Sequence, residues 1–81
     1  MTETDKYRKL IRAIEDWILG QDTYGTIAGY LGVTPSFLKD LLFRNGLSDA
    51  AGRPELPIGT QDVLNIVFLS FSLRLAKWVR G

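Results

Sequence analysis

Thr23-Tyr-Gly-Thr-Ile-Ala-Gly-Tyr-Leu-Gly-Val-Thr-Pro-Ser-Phe-Leu-Lys-Asp-Leu-Leu-Phe43 decides how this chain folds, because its apolar residues keep helical spacing on both sides of a turn signal. Ile27, Ala28 and Leu31 mark one face of a helix that ends near Leu31, and Asp22 or Thr23 is placed to cap its start. The small side chain of Ala28 lets a neighbouring backbone approach. Gly32 then allows positive φ where the chain must turn, Val33 plugs the core, Thr34 caps the next helix and Pro35 takes its first position. That helix runs from Pro35 to Arg44 and stops at Asn45-Gly46, a pair suited to left-handed geometry. Leu38, Leu41 and Leu42 fall on its inward side; Ser36, Phe37, Lys39, Asp40, Phe43 and Arg44 fall on its outward side. Gly25 and Gly29 each weaken the preceding helix by roughly 1 kcal/mol relative to alanine. No strand-loop-helix glycine motif surrounds them, so they are read as close packing or tolerance and not as a phosphate cradle.

On the N-terminal side, residues 4–19 carry Tyr7, Leu10, Ile11, Ile14, Trp17 and Ile18 at helical spacing, with Arg8, Lys9, Arg12, Glu15 and Asp16 opposite. Thr4 or Asp5 caps this first helix and Gly20 stops it. Trp17, on the apolar face, belongs to the core. On the other side, residues 45–59 hold three of the eight glycines and two of the three prolines. This composition predicts a loop or arm long for so small a domain, of the kind that is functional or mobile. Gly52-Arg53-Pro54 has the residues of a minor-groove arm, but a lone Arg-Pro is common in ordinary loops, and the ordinary reading is preferred.

The last segment opens with Gly59-Thr60-Gln61-Asp62, a cap with an acid in the first turn, and closes with Arg74, Lys77 and Arg80, which suit the negative end of a helix dipole. On a helical wheel Leu64, Val67, Phe68, Phe71, Leu75 and Trp78 form one stripe, and Ile66, Leu69, Leu73 and Ala76 form a second. A helix apolar on two sides is buried on two sides, one against the domain and one against a second copy. The alternation of Leu69, Phe71, Leu73 and Leu75 with Ser70, Ser72 and Arg74 keeps a strand or wing open as the alternative. The expected fold is therefore all-α, a small helix-turn-helix bundle of four helices, with three helices and a C-terminal strand or wing as the other possibility. Residues 1–58 form the core with its loop 45–59. Residues 59–81 complete that core and supply a dimer interface through Leu64, Phe68, Phe71, Leu75 and Trp78.

Composition narrows the function classes. At 81 residues a single core is marginal, which favours a dimer. With no cysteine and no histidine, thiolate sites, thiol nucleophiles and the usual nitrogen ligand and general base are all missing. Glu15 and Asp16 are adjacent on one helix and not paired across a cleft, so the expectation is no enzyme, no catalytic residue, no metal and no cofactor. Ten Lys+Arg against nine Asp+Glu give a net charge of +1, far from a strongly basic balance. The bases crowd the ends, as Lys6, Arg8, Lys9 and Arg12 and as Arg74, Lys77 and Arg80, where phosphate binding and a solvated face are equally good accounts. The polar start Met1-Thr2-Glu3-Thr4-Asp5 is not a signal peptide, and the apolar run 63–79 is too short and too interrupted to span a bilayer. A cytoplasmic, nucleoid-associated location is expected.

The two helices and their turn have the pattern of a helix-turn-helix, whose second helix enters the major groove of DNA. More specifically, residues 11–48, above all Ile27 through Phe43 with Gly46-Leu47-Ser48 after them, resemble one helix-turn-helix subdomain of the AraC-type transcription regulators. That family has an alanine in the second helix, Leu-Gly-Val-Ser-Pro-Ser-Tyr-Leu at the turn, a basic or polar third helix and Gly-hydrophobic-Ser beyond it. Small phage and plasmid repressors share the Ala, Gly and Val positions. The chain departs from the family in being too short for the second unit and in carrying Asp40 and Phe37 on the third helix. The resemblance implies a homodimeric, sequence-specific regulator of bacterial or phage transcription that binds double-stranded DNA. Ser36, Phe37 and Asp40 would read base edges, Lys39 and Arg44 would contact phosphate or guanine, and the helix starts near Thr23, Tyr24 and Thr34 would hold phosphates. A second expectation is a protein partner, met through Phe37, Phe43 and the apolar C-terminal segment to form mixed dimers with a larger regulator.

Overall fold

Glycines close the first three helices: α1 (Glu3–Ile18) at Gly20, α2 (Tyr24–Leu31) at Gly32 and α3 (Pro35–Arg44) at Gly46, with φ of 76°, 71° and 73°. The hydrogen bonding repeats at each stop. The glycine N–H donates to Trp17, Gly29 or Phe43, and the next N–H donates to Asp16, Ala28 or Leu42. This pair of bonds satisfies carbonyls that a helix end leaves open, and it turns the chain sharply because glycine has no Cβ to forbid the left-handed region. At α2 and α3 the residue after the glycine is apolar, and it tucks inward: Val33 is half-buried and Leu47 is buried. The computed structural model describes the backbone of residues 3–80 and the side-chain surroundings of residues 5–71.

With α4 (Thr60–Arg80), the four helices form an all-α bundle, and the described residues contain no strand. The central helix is α1, which packs on α2 and on α4, while α3 packs on α2. Leu10, Ala13, Ile14 and Trp17 of α1 meet Ile27, Ala28 and Leu31 of α2, Leu38 and Leu42 of α3, Leu47, and Val63, Leu64 and Val67 of α4 in one cluster. Burying a side chain such as Leu or Ile contributes about 1.5–3 kcal/mol, so this cluster is the main stabilising feature of the fold. Leu41, expected inward with Leu38 and Leu42, is only half-buried.

Residues 45–59 do not form a free arm. Ser48 and Pro54 make an antiparallel bridge, the Glu55 N–H donates to Leu47 O at 3.0 Å, and the Asp49 N–H donates to Arg53 O at 2.8 Å. The turn at the tip closes with the Gly52 N–H donating to Asp49 O at 3.0 Å. The Asp49 Oδ1 accepts from the Ala51 and Arg53 amides, both at 2.9 Å. A longer tie then fixes this hairpin to the bundle: the indole N–H of Trp17 donates to Gly52 O at 3.0 Å, in a buried bond between residues 35 positions apart.

The C-terminal segment is helix, not strand. The Asp62 carboxylate accepts from the Gly59 amide at 2.8 Å and starts α4 in the manner of a capping box. A break falls at Phe71, where φ −133° and ψ 32° are not helical, within the same Ser70-Phe71-Ser72 stretch whose alternation suggested a strand. Helical backbone resumes and runs to Arg80.

Candidate functional site

The surface of interest is the side of α3 turned away from the core. Because α3 is held through α2, and its own Leu38 and Leu42 are buried, the opposite side is left open. Ser36, Phe37, Asp40, Phe43 and Arg44 are exposed there and Lys39 is half-buried. The polar and aromatic residues assigned to this face from the helical period thus share it.

Their interactions alter what each has to offer. Asp40 and Arg44, one helical turn apart, form an ion pair, so the guanidinium meets any incoming phosphate with a carboxylate beside it. Phe37 stands edge-on to Phe71 at the break in α4, with ring centroids 6.0 Å apart. One side of Phe37 is therefore covered, although the residue remains 47% exposed. Thr34 Oγ1 accepts from the Phe37 amide at 3.2 Å and Thr34 O accepts from the Leu38 amide at 3.2 Å. With proline at the first position, the start of α3 keeps only the Ser36 N–H for a ligand.

At the start of α2 the situation differs. Thr23 sits in the extended conformation of a cap but makes no side-chain cap bond. Asp22 next to it caps no helix amide either: its Oδ1 accepts from the Thr23 amide at 2.7 Å and from the Thr26 hydroxyl at 3.0 Å. Tyr24, half-buried, lays its ring over Gly52. Together Trp17, Asp22, Thr23, Tyr24, Gly52 and Arg53 line a cleft of about 280 Å³. Thr23 and Tyr24 therefore lie beside the hairpin.

No protein-family model, curated protein or solved structure matches this chain. What its surface can do therefore follows from its own residues. Among the described residues no group of three or more His, Cys, Asp and Glu side chains could hold a metal ion, and no helix is long and apolar enough to cross a membrane.

The five side chains expected at a dimer interface divide. Leu64 is a correction: it is 6% exposed, inside the chain's own core with Val63 and Val67, because α4 turns that stripe toward α1. Phe68 and Phe71 are half-buried, with Phe68 edge-on to Tyr7 at 6.2 Å and Phe71 against Phe37. Leu75 and Trp78 lie outside the residues whose side chains are described.

Gly52, Asp49 and Arg53 were not singled out as a unit by the sequence. Hydrogen bonds from the Arg53 and Ala51 amides, with the Arg53 guanidinium 3.3 Å away, hold the Asp49 carboxyl below its ordinary value. A signal for this turn was present, since Asp at the first and Gly at the fourth position of Asp49-Ala50-Ala51-Gly52 suit a type I turn. Nothing local pointed to its anchor on Trp17.

Proposed function

We propose that the chain is a sequence-specific DNA-binding protein, a homodimeric regulator of transcription acting at the nucleoid, with residues 35–44 as its recognition helix. The observation that carries this reading is the α2–α3 unit: an eight-residue helix, a three-residue turn through Gly32 and a ten-residue helix whose outward side is left open. Those are the proportions of a helix-turn-helix, in which the second helix lies in the major groove. In this role Lys39 and Arg44 meet phosphate or guanine, and Ser36, Asp40 and Phe37 meet base edges, Asp40 by accepting from cytosine and Phe37 against a thymine methyl. At the start of α2 the Thr23 amide is taken by Asp22, and the Tyr24 amide beside it favours a phosphate. The Thr34 hydroxyl retains its own proton to donate. The group is a binding surface and not a catalytic one.

The Asp40–Arg44 pair and the exposure of Phe37 and Phe43 favour a second reading, in which α3 meets another protein. The two separate on one experiment. Incubating the chain with a random duplex pool and sequencing what is retained yields, for a regulator, a two-fold symmetric site with half-sites about 34 Å apart. Its affinity falls steeply as salt rises. Absence of duplex binding even at low salt removes the DNA reading and leaves the protein partner.

A further inference from the structure

α3 is held from behind: it packs on α2, and Leu38 and Leu42 carry its inner side into the core. Its first turn has a further contact, from α4. Phe71 follows Val67 by four residues and Leu64 by seven, which continues the buried stripe of α4 to the edge of the core. Its ring stands edge-on to Phe37, with centroids 6.0 Å apart and planes at 63°. The turn before it is anchored, since Val63, Leu64 and Val67 are buried and Phe68 meets Tyr7 of α1 edge-on at 6.2 Å. Phe71 thus reaches α3 from a segment already fixed to α1, at the residue where α4 departs from helical geometry.

What this contact governs is one bond rotation in Phe37. The backbone there is pinned, because the Phe37 amide donates to Thr34 Oγ1 at 3.2 Å. The side chain is 47% exposed, and an aromatic on a helix has two χ1 rotamers open to it. A neighbouring ring in edge-on contact favours the rotamer that preserves the contact. We propose that Phe71 is a positioning residue for readout by α3: it holds Phe37 in one rotamer, so that the open side of that ring meets a thymine methyl without first losing rotational freedom. The inference rests on the reading of α3 as a recognition helix, and it makes discrimination depend on a residue outside the helix-turn-helix. Contacts of Lys39 and Arg44 with phosphate carry no sequence information and do not pass through Phe71.

The full chain is tested first without DNA and then with it. The three-bond Hα–Hβ couplings of Phe37, read by NMR, are expected to be one large and one small in wild type, as a single rotamer requires, and averaged in Phe71→Leu. Replacing each thymine of the selected duplex in turn with deoxyuridine removes one methyl at a time. Wild type is expected to lose about fourfold in affinity at the thymine that Phe37 meets. Phe37→Ala abolishes that penalty and Phe71→Leu reduces it toward none, while the salt dependence of binding stays that of wild type. Tyr7→Leu removes the other edge-on pair, between α1 and α4, and keeps the full penalty, which separates positioning from a general loosening of the fold. If Phe71→Leu does not fold, Phe71→Met, apolar and without a ring, is expected to give the same readings. Couplings unchanged by the substitution, a thymine penalty that survives it, an equal loss in Tyr7→Leu, or a wild type indifferent to every thymine methyl each overturns the inference. Wild-type binding with the penalty intact in Phe71→Leu sinks the inference alone. A wild type that binds no duplex at any salt sinks the function and the readout with it, and the couplings still report whether Phe71 holds the Phe37 ring.

Discussion

Replacing Gly52 with alanine is expected to destabilise the fold out of proportion to one methyl group on a surface turn. Gly52 has φ 87°, where an L side chain costs about 1–2 kcal/mol. The added Cβ would also lie 2.3 Å from Tyr24 Cε1 and 2.9 Å from Tyr24 Cδ1, closer than two carbons can approach. Either the ring or the hairpin must move, and a hairpin that moves breaks the 3.0 Å bond from the Trp17 indole to Gly52 O. Leaving that buried pair unmade costs about 1–3 kcal/mol. Together these effects amount to about 2–5 kcal/mol, against roughly 4–12 kcal/mol expected in total for a domain of 81 residues. Urea titration followed by circular dichroism reads the loss as a lower midpoint at an unchanged slope. A cycle with Trp17→Phe checks the cause: both substitutions remove the same bond, so the double variant loses less than the two single losses added. A Gly52→Ala chain within about 0.5 kcal/mol of wild type would refute the anchoring of the hairpin.

Other outcomes follow from the same geometry. Gly29→Ala is expected to stabilise by about 0.5–1 kcal/mol, since the new Cβ meets nothing within 4 Å and the helix loses a flexible residue; a urea midpoint above wild type checks it. Thr34→Ala removes the acceptor of the Phe37 amide and is expected to lower stability by about 1 kcal/mol, or the melting temperature by about 4–8 °C. The Asp49 carboxyl, held below its ordinary 3.8 by the Arg53 and Ala51 amides and the Arg53 guanidinium, lends stability that is present above the unfolded value and lost as pH falls through the lower folded value. Asp49→Asn is thus expected to melt below wild type at neutral pH, with the gap closing as melts are recorded at pH below about 3.8.

The helices were legible because their signals are local. Apolar spacing marked α1, α2 and α3, and Gly20, Gly32 and Gly46 stopped them where the left-handed φ now stands. Thr34 and Asp62 cap as their neighbours suggest, each within three residues of its partner amide. Two features were hidden for a common reason. Which stripe of α4 turns to the core depends on how α1 packs against it, and a helical wheel treats both stripes alike; Leu64, on the stripe expected at the dimer interface, lies inward. The hairpin after α3 is held by an indole from a distant helix, and in Trp17 the periodicity records an apolar core residue without its hydrogen-bond donor. On α3 the outward face was readable from the period alone, but the pairing of Asp40 with Arg44 and of Phe37 with Phe71 depends on rotamers and on α4.

The central claim is that the outward face of α3 meets duplex DNA, and Lys39→Glu combined with Arg44→Glu tests it most directly. Neither side chain is part of the core, so circular dichroism and light scattering are expected to match wild type. Fluorescence anisotropy with the selected duplex at several salt concentrations is expected to show weaker binding. The dependence of log affinity on log salt should flatten by about 0.9 for each phosphate that the variant no longer neutralises. Affinity and salt slope equal to those of wild type would contradict the claim.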